Sequence, residues 1–160
     1  HEATALAQRL QKAGVRPGDR VALYLDNGPE FVAGVYAALK IGAVFMPINP
    51  LTRQDKLAYM LADARASALL TSSVLDSEWA PAIDAAPSVH TVFVTDAEHA
   101  DARIHAWPKA GTTASYQPPA TIDQDLASII YTSGSTGFAT KSFMPARRAT
   151  PPGPRASPKA

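Results

Sequence analysis

Cysteine is absent from the 160-residue chain. Disulfides, thiolate metal sites and a cysteine nucleophile are therefore excluded, and the composition suits a cytoplasmic protein. Long apolar runs are also missing. No stretch approaches the roughly 20 residues that a bilayer-spanning helix needs, so no membrane span is expected. The first twenty residues carry charges throughout, lack the apolar core of a signal peptide, and begin on His1. Either the natural start lies upstream or the chain has been cut. Acidic residues are unevenly spread: residues 1–137 hold 10 Lys or Arg against 14 Asp or Glu, whereas residues 138–160 hold 5 against 0. The tail alone turns the net charge to +1. It also lacks Ile, Leu and Val, and residues 143–160 carry five prolines. Such a segment cannot bury enough apolar surface to offset its ordering entropy, and residues 138–160 are expected to be disordered.

What the remainder contains is a core. At 46% hydrophobic residues, the chain can form about one domain. Leu6, Ala7 and Leu10 recur at helical spacing over residues 3–13, and Gly14 stands where a helix terminates. The apolar run 21–25 has strand length. Pro29 suits a helix first turn, and Phe31, Val32, Val35, Ala38 and Leu39 continue that helix to about Ile41, before Gly42. A strand over 43–48 closes at Asn49-Pro50. Thr52 is the expected cap of a third helix carrying Leu57, Met60 and Leu61. Further strands fall at 67–71, 89–95 and 126–131, with a short proline-containing helix over 77–86. Residues 96–125 show no period and read as a long surface connection. Helices alternating with short, wholly apolar strands predict an α/β protein whose mainly parallel sheet is flanked by helices.

The last strand runs into Thr132-Ser133-Gly134-Ser135-Thr136-Gly137. Two glycines let backbone N–H groups converge on an anion, and four hydroxyls add donors. Ligands of open α/β sheets bind at the carboxyl ends of strands. Composition and position favour a phosphate cradle, with a plain polar turn as the alternative. A Walker loop is excluded because Thr140, not glycine, precedes Lys141, and no G-x-G-x-x-G dinucleotide motif is present.

Residues 131–137 resemble the signature loop of the adenylate-forming superfamily, which contains acyl-CoA synthetases, aryl-CoA ligases, luciferases and peptide-synthetase adenylation domains. Gly14 to Ala22, Asn27 to Phe31, Ala37 to Pro47 with Asn49-Pro50, Leu57 to Leu61, and Asp125-Leu126-Ala127 resemble its amino-terminal region in the usual order. The resemblance covers residues 3–137 and implies a partial, amino-terminal piece of that fold. It implies attack of a carboxylate on the α-phosphorus of ATP, giving an acyl-adenylate and pyrophosphate, and transfer of the acyl group to a thiol such as that of CoA. Thr132, Ser133, Gly134, Ser135, Thr136 and Gly137 map onto positions that hold the β- and γ-phosphates with Mg²⁺. Asn49-Pro50-Leu51 is closer to acyl-CoA synthetases, with fatty acids as substrates, than to peptide-synthetase domains.

After Gly137 the family pattern continues with any residue and then Pro-Lys-Gly, whereas this chain reads Phe138-Ala139-Thr140-Lys141-Ser142. Lys141 stands one place late. It either reaches a phosphate as a flexible ammonium or, more simply, is a solvated lysine at the start of the tail. A shifted reading frame or a wrong junction is the simplest source of residues 138–160. The family's adenine and carboxylate pockets and its catalytic lysine have no counterpart, so no catalytic residue is assigned and the chain alone is expected to be inactive. A catalytically silent binding or structural piece, or a broken gene product, is the second reading. Uncovered sheet surface is expected to favour partial folding or aggregation. His99 with Glu98 and Asp101 reads as a solvated loop rather than a metal site, and Trp79, Trp107 and Tyr116 carry no assigned chemistry. Arg147-Arg148 supply nonspecific charge only, so no specific nucleic-acid partner is expected.

Overall fold

The computed structural model describes residues 2–96, 101–108, 118–119, 125–133 and 139–145, with backbone alone at 133 and 139–141. Its elements run α1 (Glu2–Lys12), β1 (Arg20–Tyr24), α2 (Pro29–Lys40), β2 (Val44–Ile48), α3 (Gln54–Asp63), β3 (Ala66–Thr71), α4 (Asp76–Asp84), β4 (Thr91–Val94), β5 (Ile104–Ala106), β6 (Leu126–Ser133) and β7 (Ala139–Pro145). A single 3₁₀ turn, Ser73–Leu75, leads into α4. The strands form one sheet in the order β5-β4-β3-β1-β2-β6-β7, parallel except for the β6–β7 pair. This is the α/β arrangement read from the sequence.

The order explains the two helical layers. Travelling from β1 to β2 the chain moves one way across the sheet, and from β2 to β3 it moves back past β1. Because crossovers are right-handed, reversing direction sends the next helix to the opposite face. Accordingly, Leu6, Leu10, Ala37, Ala38 and Ile41 of the α1/α2 layer pack with Val21 and Leu23. Leu57, Leu61, Trp79 and Ile83 of the α3/α4 layer pack with Ala22 and Tyr24. Successive β1 residues thus feed two cores, as strand pleating dictates. Leu6 and Leu10 are fully buried, which contributes roughly 1.5–3 kcal/mol each toward holding α1 on the sheet. Gly14 and Gly42 follow α1 and α2 with φ of 95° and 70°, the left-handed region expected for helix-terminating glycine.

Three sequence expectations change. Residues 104–106 form β5, a parallel edge strand paired with Val92–Val94, inside the stretch read as an irregular connection. Its three residues are too few to show a period. Residues 139–145, expected to be disordered, form β7 antiparallel to β6, pairing Ser133 with Ala139 and Ile129 with Phe143. A hairpin strand gains its main-chain hydrogen bonds from its neighbour without aliphatic side chains; Phe143 and Met144 remain largely exposed. Residues 146–160 lie outside the described residues. Finally, Thr52 does not cap α3. The N-cap position is Arg53, with no side-chain cap bond. Instead Glu78 of α4 accepts the Gln54 N–H at 2.6 Å.

The far end of α3 is also closed from outside. Arg20 Nε donates to the Ala64 carbonyl at 2.7 Å and its Nη2 to the Arg65 carbonyl at 2.6 Å. A guanidinium there satisfies carbonyls that a helix end leaves open and complements the negative end of its dipole. An apolar stripe of Val32, Tyr36 and Leu39 stands exposed on α2. No helix among the described residues is long and apolar enough to cross a membrane.

Candidate functional site

β6 brings Thr132 and Ser133, which begin the glycine-rich stretch, to one edge of the sheet. It pairs with β2 in parallel through Phe45 and Ser128, so its Tyr131–Ser133 end shares an edge with the carboxyl ends of β1 and β2. That is where open α/β sheets place ligands. The ladder to β6 does not extend along β2 to Pro47, which has no N–H to contribute. Beyond that point a cleft of about 440 Å³ opens, lined by residues that include Pro47, Asn49, Lys56, Met60, Tyr131 and Thr132.

Tyr131 closes the floor of this cleft against α3. Its hydroxyl donates to Asp63 Oδ2 at 2.6 Å and lies 3.5 Å from the Met60 carbonyl. Burial, and then the bond to Asp63, push the phenol pKa upward and keep it neutral. The opposite rim, residues 49–53, is held from beneath by Tyr24. This fully buried side chain places its hydroxyl 2.7 Å from the Thr52 carbonyl and 3.0 Å from that of Pro50. One phenolic proton serves both acceptors, with the shorter contact the natural bond. Burial also raises the Tyr24 pKa, with Glu78 adding to the shift and Arg53 opposing it.

Among the described residues, the cleft lining carries cations and no carboxylate. Arg53 and Lys56 both contribute, and Arg53 is paired with Glu78 at 3.1 Å. The rim therefore suits an anion, with Asn49 and the Thr52 and Thr132 hydroxyls as further polar groups. Glu78, Tyr24, Asp63 and Lys56 were not singled out from the sequence. No local pattern announces that residue 24 lies beneath residue 52 or that residue 78 caps a helix starting at 54.

Of the sequence-derived site residues, Thr132 is an exposed residue of β6 on the cleft rim. Ser133 ends β6, and Lys141 occupies the β7 register position opposite Tyr131. Lys141 thus belongs to a strand rather than to the start of an unstructured tail. Gly134, Ser135, Thr136 and Gly137 lie outside the described residues, as do His99, Glu98 and Tyr116. Asp101 is engaged by Arg103, whose hydrogen bonds draw the carboxyl down to about 2. Among the described residues no group of three or more His, Cys, Asp or Glu could hold a metal ion. Trp79 is buried with Nε1 donating to the Ser72 carbonyl, and Trp107 Nε1 donates to Glu2 Oε1. Both are structural in these contacts.

Comparison with known proteins identifies the family. The AMP-binding enzyme family matches residues 1–139. A linear gramicidin synthase of Brevibacillus parabrevis is 38% identical over 136 residues, which cover 85% of this chain and 2% of that protein. The crotonobetaine/carnitine–CoA ligase of Escherichia fergusonii is 33% identical over 141 residues, covering 84% of this chain and 27% of the ligase. Among solved structures, an anthranilate CoA ligase in complex with anthranoyl-AMP shares the fold, with a TM-score of 0.76 and 22% identity over 91% of this chain and 28% of that one. The chain spans a small part of the length of these proteins, between 2% and 28%. Peptide synthetases and CoA ligases both occur among them. With a family match running from residue 1 through the whole of β6 and the loop that follows it, this chain belongs to the AMP-binding enzyme family.

Proposed function

We propose that this chain supplies the amino-terminal part of the nucleotide-binding unit of an ATP-dependent carboxylic acid ligase. The observation that carries the reading is the position of the Thr132–Gly137 loop stem: it leaves the carboxyl end of a parallel strand beside a cleft whose lining is cationic. In this reading Thr132, Ser133, Gly134, Ser135, Thr136 and Gly137 hold the β- and γ-phosphates of ATP through N–H and hydroxyl donors. They orient pyrophosphate as the leaving group when a substrate carboxylate attacks the α-phosphorus. Lys141 is a secondary contact from β7. Mg²⁺, bound with the nucleotide, supplies charge neutralisation on the phosphate oxygens. The donor set fits a metal that arrives on the nucleotide: the stretch Thr132–Gly137 supplies four hydroxyls in sequence and no carboxylate.

The acyl-adenylate would then pass to a thiol, that of CoA in the acyl-CoA synthetase reading, with a fatty acid as substrate and a cytoplasmic setting. The CoA ligase relative and Asn49-Pro50-Leu51 support that version. The 38% identity to a gramicidin synthase supports an amino acid and a carrier-bound thiol instead. No residue of this chain is assigned to the chemical step, so the chain by itself is a nucleotide-binding piece without turnover.

Two measurements test this. Pyrophosphate should bind the full chain and lose affinity about tenfold or more when Thr132 and Ser133 are both replaced by alanine, through loss of charge-assisted hydrogen bonds. No binding by the wild-type chain would defeat the phosphate reading. Carboxylate-dependent ATP–pyrophosphate exchange, assayed over fatty, aryl and amino acids, should give no signal from this chain alone; robust exchange would overturn its inactivity, and the acid used would identify the substrate class.

A further inference from the structure

Far from the loop, across the sheet at β4 and β5, lies a second hollow of about 160 Å³. Arg9, Lys12 and Ala13 line it from the end of α1, and Phe93 and His105 line it from the strands. By volume it holds about five waters. Phe93 and His105 are direct register partners, with ring centroids 5.3 Å apart and planes inclined by 37°. Phe93 is only 1% exposed, so the imidazole rests against a ring that the core fixes. Arg9 and Lys12, three residues apart on a helix, share a face, and the small Ala13 side chain leaves space beside them.

Among the described residues no carboxylate lines this hollow. Asp84 and Asp101 hold Arg103 at 3.0 and 2.7 Å, and Glu2 accepts the Trp107 indole N–H. Among the described residues neither Arg9 nor Lys12 has an acidic ion-pair partner within 4 Å. Cations in the last turn of α1 also favour its dipole, which gives them a local structural reason. That reason does not extend to an imidazole on a separate strand converging on the same space.

We propose that this hollow binds a phosphoryl group, either free phosphate or a phosphate monoester whose remainder stays in solvent. The Arg9 guanidinium presents a planar fork to two oxygens, Lys12 a point charge, and His105 a ring N–H beside its tilted contact with Phe93. The site is independent of the Thr132–Gly137 loop and of the reading drawn from it.

The test is an NMR titration of the full chain with inorganic phosphate and, separately, with AMP, at constant ionic strength. Saturable shifts at Lys12, Ala13 and His105 are expected with both probes. Equal affinity identifies the isolated phosphoryl group as the ligand, and tighter AMP binding shows that a nucleotide's remainder adds contacts; either result supports the site. The Arg9→Gln/Lys12→Gln double variant changes exposed side chains and should weaken binding about tenfold or more. His105→Phe keeps the ring contact with Phe93, removes the donor and should weaken binding several-fold. No saturable shift at these residues with either probe, shifts confined to residues 131–133, or unchanged affinity in the double variant would overturn the proposal.

Discussion

Replacing Glu78 with alanine should destabilise the fold more than removing the arginine it pairs with. Glu78 does two things at once. Its Oε2 accepts the Gln54 N–H at 2.6 Å, and its Oε1 accepts from Arg53 Nη1 at 3.1 Å. The Arg53 side chain is 86% exposed and that of Glu78 21%, so solvent screens the ion pair to roughly 0–0.5 kcal/mol. The cap is different. α3 has no side-chain cap from its own sequence, so the carboxylate reaching over from α4 satisfies an otherwise open N–H and meets the positive end of the α3 dipole. Losing an N-cap costs about 0.5–2 kcal/mol. Glu78→Ala is therefore expected to cost about 1–2 kcal/mol, Arg53→Gln less than about 0.5, and Glu78→Gln an intermediate amount, because its amide oxygen still accepts but carries no charge. For a chain of this size 1 kcal/mol lowers Tm by about 2–4 °C, so melts followed by circular dichroism resolve the series. If Arg53→Gln cost as much as Glu78→Ala, the ion pair would outweigh the cap, and Glu78 would not act mainly on the α3 terminus.

Gly34 faces the sheet so closely that an added Cβ would lie 2.9 Å from Leu70 Cδ1 and 3.1 Å from Leu23 Cδ2. Both atoms end flexible side chains, so Gly34→Ala should trade up to about 1 kcal/mol of helix propensity against overpacking of about 1–3 kcal/mol and come out mildly destabilising in urea titrations. Gly34→Val adds branched bulk against the same atoms and should be clearly worse; a stabilised valine variant would contradict this approach of α2 to the sheet. On the alkaline side, Tyr131 and Tyr24 both have folded pKa values raised above 10.0. The native state holds those protons more tightly than the unfolded chain, so their contribution is fully present below about pH 10 and declines as pH rises beyond it. Tyr131→Phe loses the bond to Asp63 and some stability at neutral pH, but its Tm should fall less steeply between pH 9 and pH 11, on the order of the titration range of a phenol. An alkaline decline unchanged in a Tyr24→Phe/Tyr131→Phe double variant would refute the assignment.

The sequence was most legible where burial is symmetrical. Val21–Leu25 is apolar, and Ala66–Thr71 is buried, without alternation because both faces of those strands meet helices, and the helix faces of Leu6/Leu10 and Leu57/Leu61 repeat at the period their burial requires. Elements that lean on a partner were not legible. β5 exists because Val92–Val94 offers an open edge, and β7 because β6 does, which a single sequence does not display. Thr52 has the right chemistry for a cap, yet its neighbourhood is decided by Glu78, twenty-six positions away in the sequence. At the site, the Thr/Ser/Gly stretch stands out in the sequence because its composition alone suggests a phosphate cradle. The supports from Tyr24, Asp63 and Lys56 are ordinary residues made relevant only by where the sheet order puts them.

The pairing of Phe45 with Ser128 implies a sequence of events. β1 to β4 and their helices join neighbours close along the chain, so their contacts close short loops and form early. β6 must return across some eighty residues to reach β2, and it finds there a strand already fixed on its other side by β1. The scaffold of β1 to β4 is thus expected to form before β6 docks on it. The strand that carries Thr132 and Ser133 is therefore expected to dock after β1 to β4, and substitutions in α1 to β4 should change how fast a receptive edge appears, while those in β6 change how long it stays occupied.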